Sequence, residues 1–238
     1  MNEDLAKLTA IAVLDRRLQA LDTSIKKQEK RLSDATKRVQ DVEADLAGKR
    51  DALSALKTEE HALQRKLHLY KDRRDSAIRI LESGVGDFTA AERQVEQCDG
   101  ILDDTETLLL EALETHDGLD EDIREREAAQ VDAKQGLEVV TTEATTIIDA
   151  CNAEWRDIVA RREVDWESLD REFHHKYENL LRRKKYAVAP IYQGACHGCQ
   201  RVIQRQEAAD VKRGLLMTCR GCHRWLVLEE EWPLPLGR

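Results

Sequence analysis

The feature that most constrains this chain is its first 189 residues, which contain no proline; Pro190, Pro233 and Pro235 are the only three. Without its strongest breaker, that stretch is free to be helical from end to end. Stepping alternately four and three residues from Leu14 to Leu81 meets an apolar side chain at sixteen of twenty positions. A stripe of that length is a coiled-coil seam, since an ordinary globular helix stops after a few turns. A second seam runs from Val95 to Ile158, apolar at fourteen of nineteen positions.

Between them stands "LESGVGDFTAAERQVE". Gly84 and Gly86 break the first helix, Asp87 favours a turn, and Thr89 with Glu92 has the spacing of a capping box that starts the second. So short a connection folds the two helices back on one another, each covering the other's stripe. The sequence therefore predicts an antiparallel hairpin over 1–189 with its turn near 83–88. The second helix is expected to continue through "WESLDREFHHKYENLLRRKKYAVAP". Gly48, Gly100, Gly118 and Gly136 read as local bends. Gln28, Lys49, Arg126 and Gln130 read as polar seam positions that fix register. Composition agrees: 36% charged and 4% aromatic residues suit a narrow seam with most positions in water. Eight of the ten aromatics lie at or beyond Trp155, so the bulkiest packing is expected where the open end of the hairpin meets the C-terminal module.

That module, residues 190–238, carries the chemistry. Cys196-x2-Cys199 and Cys219-x2-Cys222 are nineteen residues apart, the arrangement of a four-cysteine zinc site. Each pair grips the metal from one tight turn, where Gly198 and Gly221 help the chain bend. Four thiolates at about 2.3 Å complete a tetrahedron, so a zinc ion held this way is structural and closed to substrate. A thioredoxin-like redox pair would need a βαβ setting that is missing, and His197 and His223 read as surface neighbours of the site. "RVIQ", "LLMT" and "RWLVLEE" read as three short strands, giving a small β zinc ribbon with a short tail. So small a module depends on its metal to fold. The expected fold class is mainly α: a long two-helix coiled-coil hairpin followed by this ribbon.

Net charge is −9, yet Arg182–Arg224 holds ten basic and two acidic residues, a local +8 against −17 elsewhere. The cations are Arg182, Arg183, Lys184 and Lys185 at the helix end, with Arg201, Arg205, Lys212, Arg213, Arg220 and Arg224 on the ribbon. Such a patch would neutralise phosphates; equally, cations at a helix C-terminus offset its dipole and the rest are solvated charges. Trp225 reads first as ribbon core and second as a surface on which a base could stack. Twelve acids against two bases between Asp99 and Glu127 form a solvated face or a docking surface for a basic partner. Cys98 and Cys151 are small buried hydrophobes. The chain begins with acids where a secretory leader has bases, has no long apolar run, and uses its cysteines for metal, so a cytoplasmic protein is expected.

The stretch "KYENLLRRKKYAVAPIYQGACHGCQRVIQRQEAADVKRGLLMTCRGCHRWLVLEEE", together with "GDFTAAERQVEQCDGILDDTETLLLEALE" after the turn, resembles the bacterial C4-type zinc ribbon family with an N-terminal coiled-coil hairpin domain. The resemblance implies Cys196, Cys199, Cys219 and Cys222 as the ligands. It also implies nucleic-acid binding, or association with the sigma factor sigma-54 and with flagellar or type III secretion export proteins. Many relatives carry Pro or Gly beside the cysteines, where this chain has "CHGCQ" and "CRGCH". No phosphate loop or activated nucleophile is legible. The expectation is a non-enzymatic adaptor that binds proteins along its hairpin, with no membrane or small-molecule substrate; the alternative is a direct RNA- or DNA-binding protein acting through the basic ribbon and neck.

Overall fold

The computed structural model describes residues 2–233; residues 234–238, which belong to the expected tail, lie outside the described residues. Two long helices, α1 (Glu3–Ser83) and α2 (Phe88–Glu167), pack closely on each other and run unbroken through all four interior glycines. The connection uses Gly84 and Gly86 at φ 72° and 133°, backbone that favours glycine. The cap of α2 is Asp87, whose Oδ1 accepts the N–H of Ala90, and not Thr89, which already lies within the helix.

The chain divides into two compact units, Leu32–Thr141 and Met1–Arg31 with Thr142–Arg238. In Leu32–Thr141 the buried residues follow the two seams: Val39, Leu46, Leu67 and Ala77 on α1, and Cys98, Leu102, Ala112 and Ile123 on α2. Polar pairs flank them. Arg126 meets Asp45 at 2.8 Å, Gln130 donates to Glu43 at 3.1 Å, and Lys71 meets Glu106 at 3.3 Å. Lys49 pairs with Asp122, and His116 Nδ1 lies 2.7 Å from Glu60. As one partner's number rises the other's falls, the signature of an antiparallel register. The acidic run of α2 is thus partly matched by cations on α1.

In the other unit α1 begins with a wider buried face. Leu5, Leu8, Ile11 and Ala12 join Leu169, Tyr177, Val188, Trp225, Val227 and Trp232 in one core. The expected continuous helix ends at Glu167. Leu169 turns inward, 4% exposed, and Asp170, with extended backbone, starts a separate helix α3 (Arg171–Lys184). The break lets His174 stack on Trp166 with ring centroids 4.3 Å apart. Asp15 of α1 ties the elements together, accepting from Arg162 of α2 and, at 2.8 Å, from the hydroxyl of Tyr177 on α3. Burial first, then the Asp15 charge, push the Tyr177 hydroxyl far above its ordinary pKa, so it stays a proton donor.

Lys185 closes α3 at φ 64° and leads into strand β1 (Val188–Tyr192). A turn with positive φ at Gln193 and Gly194 reverses the chain into β2 (Ala195–Cys196). After a helix α4 (Arg205–Lys212), β3 (Trp225–Leu228) adds to the other edge of β1, parallel to it. The sheet order is β2-β1-β3. Of the three expected strands only the third forms, over Trp225–Leu228, and its two glutamates pass into a 3-10 turn, Glu229–Glu231. "RVIQ" contributes a single bridge at Val202 and then enters α4, which Gln204 and Glu207 start as a capping box; "LLMT" contributes a single bridge at Thr218. The main strand is instead "VAPIY", with Pro190 inside it. Its carbonyl accepts from His197 N–H at 3.0 Å, so its missing donor faces the side where the two-residue β2 has already ended.

Candidate metal centre

The two cysteine pairs fold as matching turns. In the first, Gln200 N–H bonds to Cys196 O at 2.7 Å and Cys196 N–H to Arg201 O at 2.9 Å; in the second, His223 N–H bonds to Cys219 O at 2.7 Å and Cys219 N–H to Arg224 O at 2.8 Å. Gln200 and His223 both take the left-handed conformation, at φ 60° and 63°. The Gly221 N–H donates to the Cys219 sulfur at 3.4 Å, and the backbone N–H groups of Gly198, Arg201 and Arg224 act to lower the pKa of Cys196, Cys199 and Cys222 in the same way. Donors aimed at sulfur in this way favour the charged thiolate.

The turns bring all four sulfurs within 4.8 Å of one another. Cys196 and Cys222 are 3.7 Å apart and Cys199 and Cys219 3.6 Å. A tetrahedron with metal–sulfur bonds of about 2.3 Å has edges of about 3.8 Å. The residues therefore fit a four-coordinate ion. Three of the four cysteines are buried, in a small core with Ala189, Ile203, Val211 and Leu226. Burial pushes the Cys196 thiol up, the Gly198 N–H opposes it, and neighbouring sulfur charge adds to the rise. Burial likewise raises Cys199. At Cys222 burial is outweighed by the Arg224 N–H and side chain and by neighbouring thiols, which bring it down to about 7. Four thiols this close resist joint ionisation, and a cation at their centre is what relieves that repulsion. Among the described residues these cysteines form the one cluster of Cys, His, Asp and Glu suited to a metal, and His197 and His223 stand outside it.

The glycines of the turns provide room. A Cβ on Gly198 would stand 2.7 Å from Arg224 Nη1 and 2.9 Å from its Cδ; one on Gly221 would stand 3.1 Å from Arg201 Cδ and 3.5 Å from Cys199 Sγ. Each turn is thus crossed by the arginine that comes after the other pair. The signal was present as a repeated C-x-G-C-x-R, "CHGCQR" and "CRGCHR", which a search for metal ligands alone passes over. Arg224 is 6% exposed and donates to the carbonyls of Tyr186, Gly198 and Lys184 at 3.0, 2.9 and 2.7 Å. It clamps the end of α3 to the cysteine turns, so its place in the sequence-predicted basic patch is corrected: its donors are spent inside the protein.

The other nine cations divide. Arg220 meets the buried carboxylate of Glu207 at 2.8 Å, and half-buried Arg201 approaches it at 4.0 Å. Arg213 pairs with Asp210, and Arg182 with Glu178 at 3.6 Å. Arg183, Lys184, Lys185, Arg205 and Lys212 are exposed. Trp225 is 1% exposed, between Tyr177 and Phe173 and beneath the Lys176 ammonium at 4.8 Å; it is core and offers no face to a base. Cys98 is buried, and the Cys151 thiol lies 3.8 Å from Ser24 Oγ.

Among the described residues no helix is long and apolar enough to cross a membrane. No family model and no curated protein matches the sequence. Three solved bacterial structures share the fold. CT398 from Chlamydia trachomatis superposes with a TM-score of 0.84 at 20% identity, over 95% of this chain and 98% of its own. The HP0958 protein of Helicobacter pylori gives 0.59 at 20%, over 96% and 98%, and a Mycobacterium smegmatis protein 0.56 at 18%, over 95% and 100%.

Proposed function

We propose that this chain is a non-enzymatic, cytoplasmic adaptor whose cysteine turns hold one structural zinc ion and whose helices dock partner proteins. The choice of zinc rests on the donors: four thiolates at tetrahedral spacing are soft ligands of the kind zinc takes in closed structural sites. When bound, the ion supplies folding energy to the ribbon, and the four sulfurs leave it no position for substrate. A reducing compartment keeps those thiols available.

The observation that carries the adaptor reading is apolar surface outside the seams. On α2, Leu110 is 63% exposed, Val131 53% and Val139 57%. Two helices that cover each other's stripes have no internal use for these side chains, and water-facing apolar residues on a long helix suit a partner. By its resemblance to the zinc-ribbon hairpin family, the partners would be a sigma factor or components of a secretion or flagellar export apparatus. A photo-crosslinking residue at Leu110 or Val131 should trap the same discrete protein from native cells, while one at the seam position Leu102 should trap none. Equal, diffuse labelling from all three positions would sink the reading.

A second reading, direct nucleic-acid binding, is favoured by the exposed cations Arg183, Lys184, Lys185, Arg205 and Lys212 beside the cysteine turns. It requires binding that weakens steeply with salt.

A further inference from the structure

We propose that the cleft between α3 and the second cysteine turn holds one nucleotide unit of a single-stranded nucleic acid, a site that rests on the nucleic-acid reading and gives it an address. The cleft has a volume of about 380 Å³. One wall is a stripe of α3 in which lining residues recur three and four apart, from Glu172 through Lys176 and Leu180 to Lys184. The other wall is Cys222 and His223.

Four kinds of group meet there. Lys176, Arg183 and Lys184 stand against Glu172 alone, leaving a positive balance for a phosphate. The Lys176 ammonium is already held in place over the Trp225 ring. The imidazoles of His175 and His223 are exposed flat rings against which a base can stack, and Leu180 gives the cleft an apolar floor. Half-buried Asn179 offers a donor and an acceptor to the edge of that base. An acidic peptide would use the cations and leave the rings and the amide without a role, which is why a nucleotide is the better occupant.

The test is fluorescence anisotropy of the full zinc-loaded chain with labelled oligouridylate and oligothymidylate at about 50 and about 150 mM salt. Asn179→Ala, His175→Ala and His223→Asn should each weaken binding about tenfold, as loss of a base contact does. Asn is chosen at His223 because it tolerates left-handed backbone. Lys212→Glu, away from the cleft, should cost no more than about threefold as one lost phosphate contact, and iodouridine in the strand should crosslink to residues within 172–184 or 222–223. Zinc content and helical circular dichroism must match the parent in every variant. Binding that responds to Lys212→Glu but ignores the three cleft variants would overturn this site and leave the nucleic-acid reading standing. No binding of either oligonucleotide at the lower salt would overturn both. Polyglutamate that binds and is weakened by the cleft variants would assign the cleft to a protein, and free uridine monophosphate that binds as tightly as the strand would assign it to a metabolite; either result overturns the proposal.

Discussion

Between Leu32 and Thr141 each helix buries one narrow stripe, and polar residues complete it: Thr105 is fully buried with its hydroxyl on Ile101 O, and Glu60 is paired with His116. In the unit that carries the cysteines the buried groups come from four α-helices and a three-stranded sheet, with Trp225, Tyr177 and three of the four cysteines among them. The first region can lose a side chain and keep its neighbours in register, because the same contact is repeated along the helices. The second is built from contacts made once, and two of them, the four-cysteine cluster and the Arg224 clamp, hold the groups around them. Repetition gives tolerance and singularity gives sensitivity, so equivalent lesions should have unequal effects.

The largest contrast is expected from the ligands. Replacing Cys219 and Cys222 by Ser should abolish zinc binding, which contributes on the order of 10 kcal/mol to small zinc modules. Tryptophan fluorescence should shift to the red as Trp225 meets water, while helical circular dichroism largely survives; loss of both signals together would mean that the helices depend on the ribbon.

Next come apolar deletions. Leu8→Ala removes a fully buried side chain from the aromatic core and should cost about 2–5 kcal/mol in chemical denaturation. Leu110→Ala should change stability by less than about 0.5 kcal/mol while reducing partner capture, which separates surface kept for docking from surface kept for folding.

The legibility of the fold obeys the same division. The seams were readable because a heptad repeats its evidence ten times over. The four-cysteine cluster was readable because the spacing of the two thiol pairs reports their geometry directly. The break at Ser168–Asp170 was not, since helix-forming residues surround it and tertiary burial of Leu169 decides the matter. "RVIQ" and "LLMT" have strand composition, yet the Gln204–Glu207 box and the following "RQEAADVK" draw the first into a helix start. Arg224 looked like one more surface cation because charge counting does not register which carbonyls are waiting.

A finer contrast lies between the two turns. Gly198→Ala forces a methyl group onto Arg224, which holds three carbonyls, and should cost about 1–3 kcal/mol. Gly221→Ala meets Arg201 at longer range and should cost less; equal melting points for the two variants would remove Arg224 from its proposed role.

The smallest effect is the pH dependence of the surface pairs. Hydrogen bonding to Lys134 holds Glu43 below the ordinary carboxylate pKa, and Lys49 does the same for Asp122. A carboxylate depressed in the folded state contributes stability that is present above its unfolded pKa of about 4 and lost as pH falls through the folded value. Both pairs lie at the surface, Asp122 exposed and Glu43 partly so, and thermal melts should therefore fall only slightly with acid over that window, and added salt should remove most of the difference.

The most direct test of the central claim, that a metal fixes the cysteine region while the long helices hold themselves, is hydrogen exchange by mass spectrometry before and after zinc chelation. Protection should be lost over 195–228 and unchanged over 32–141. Unchanged protection over 195–228 after verified metal removal, or loss along the whole chain, would contradict it.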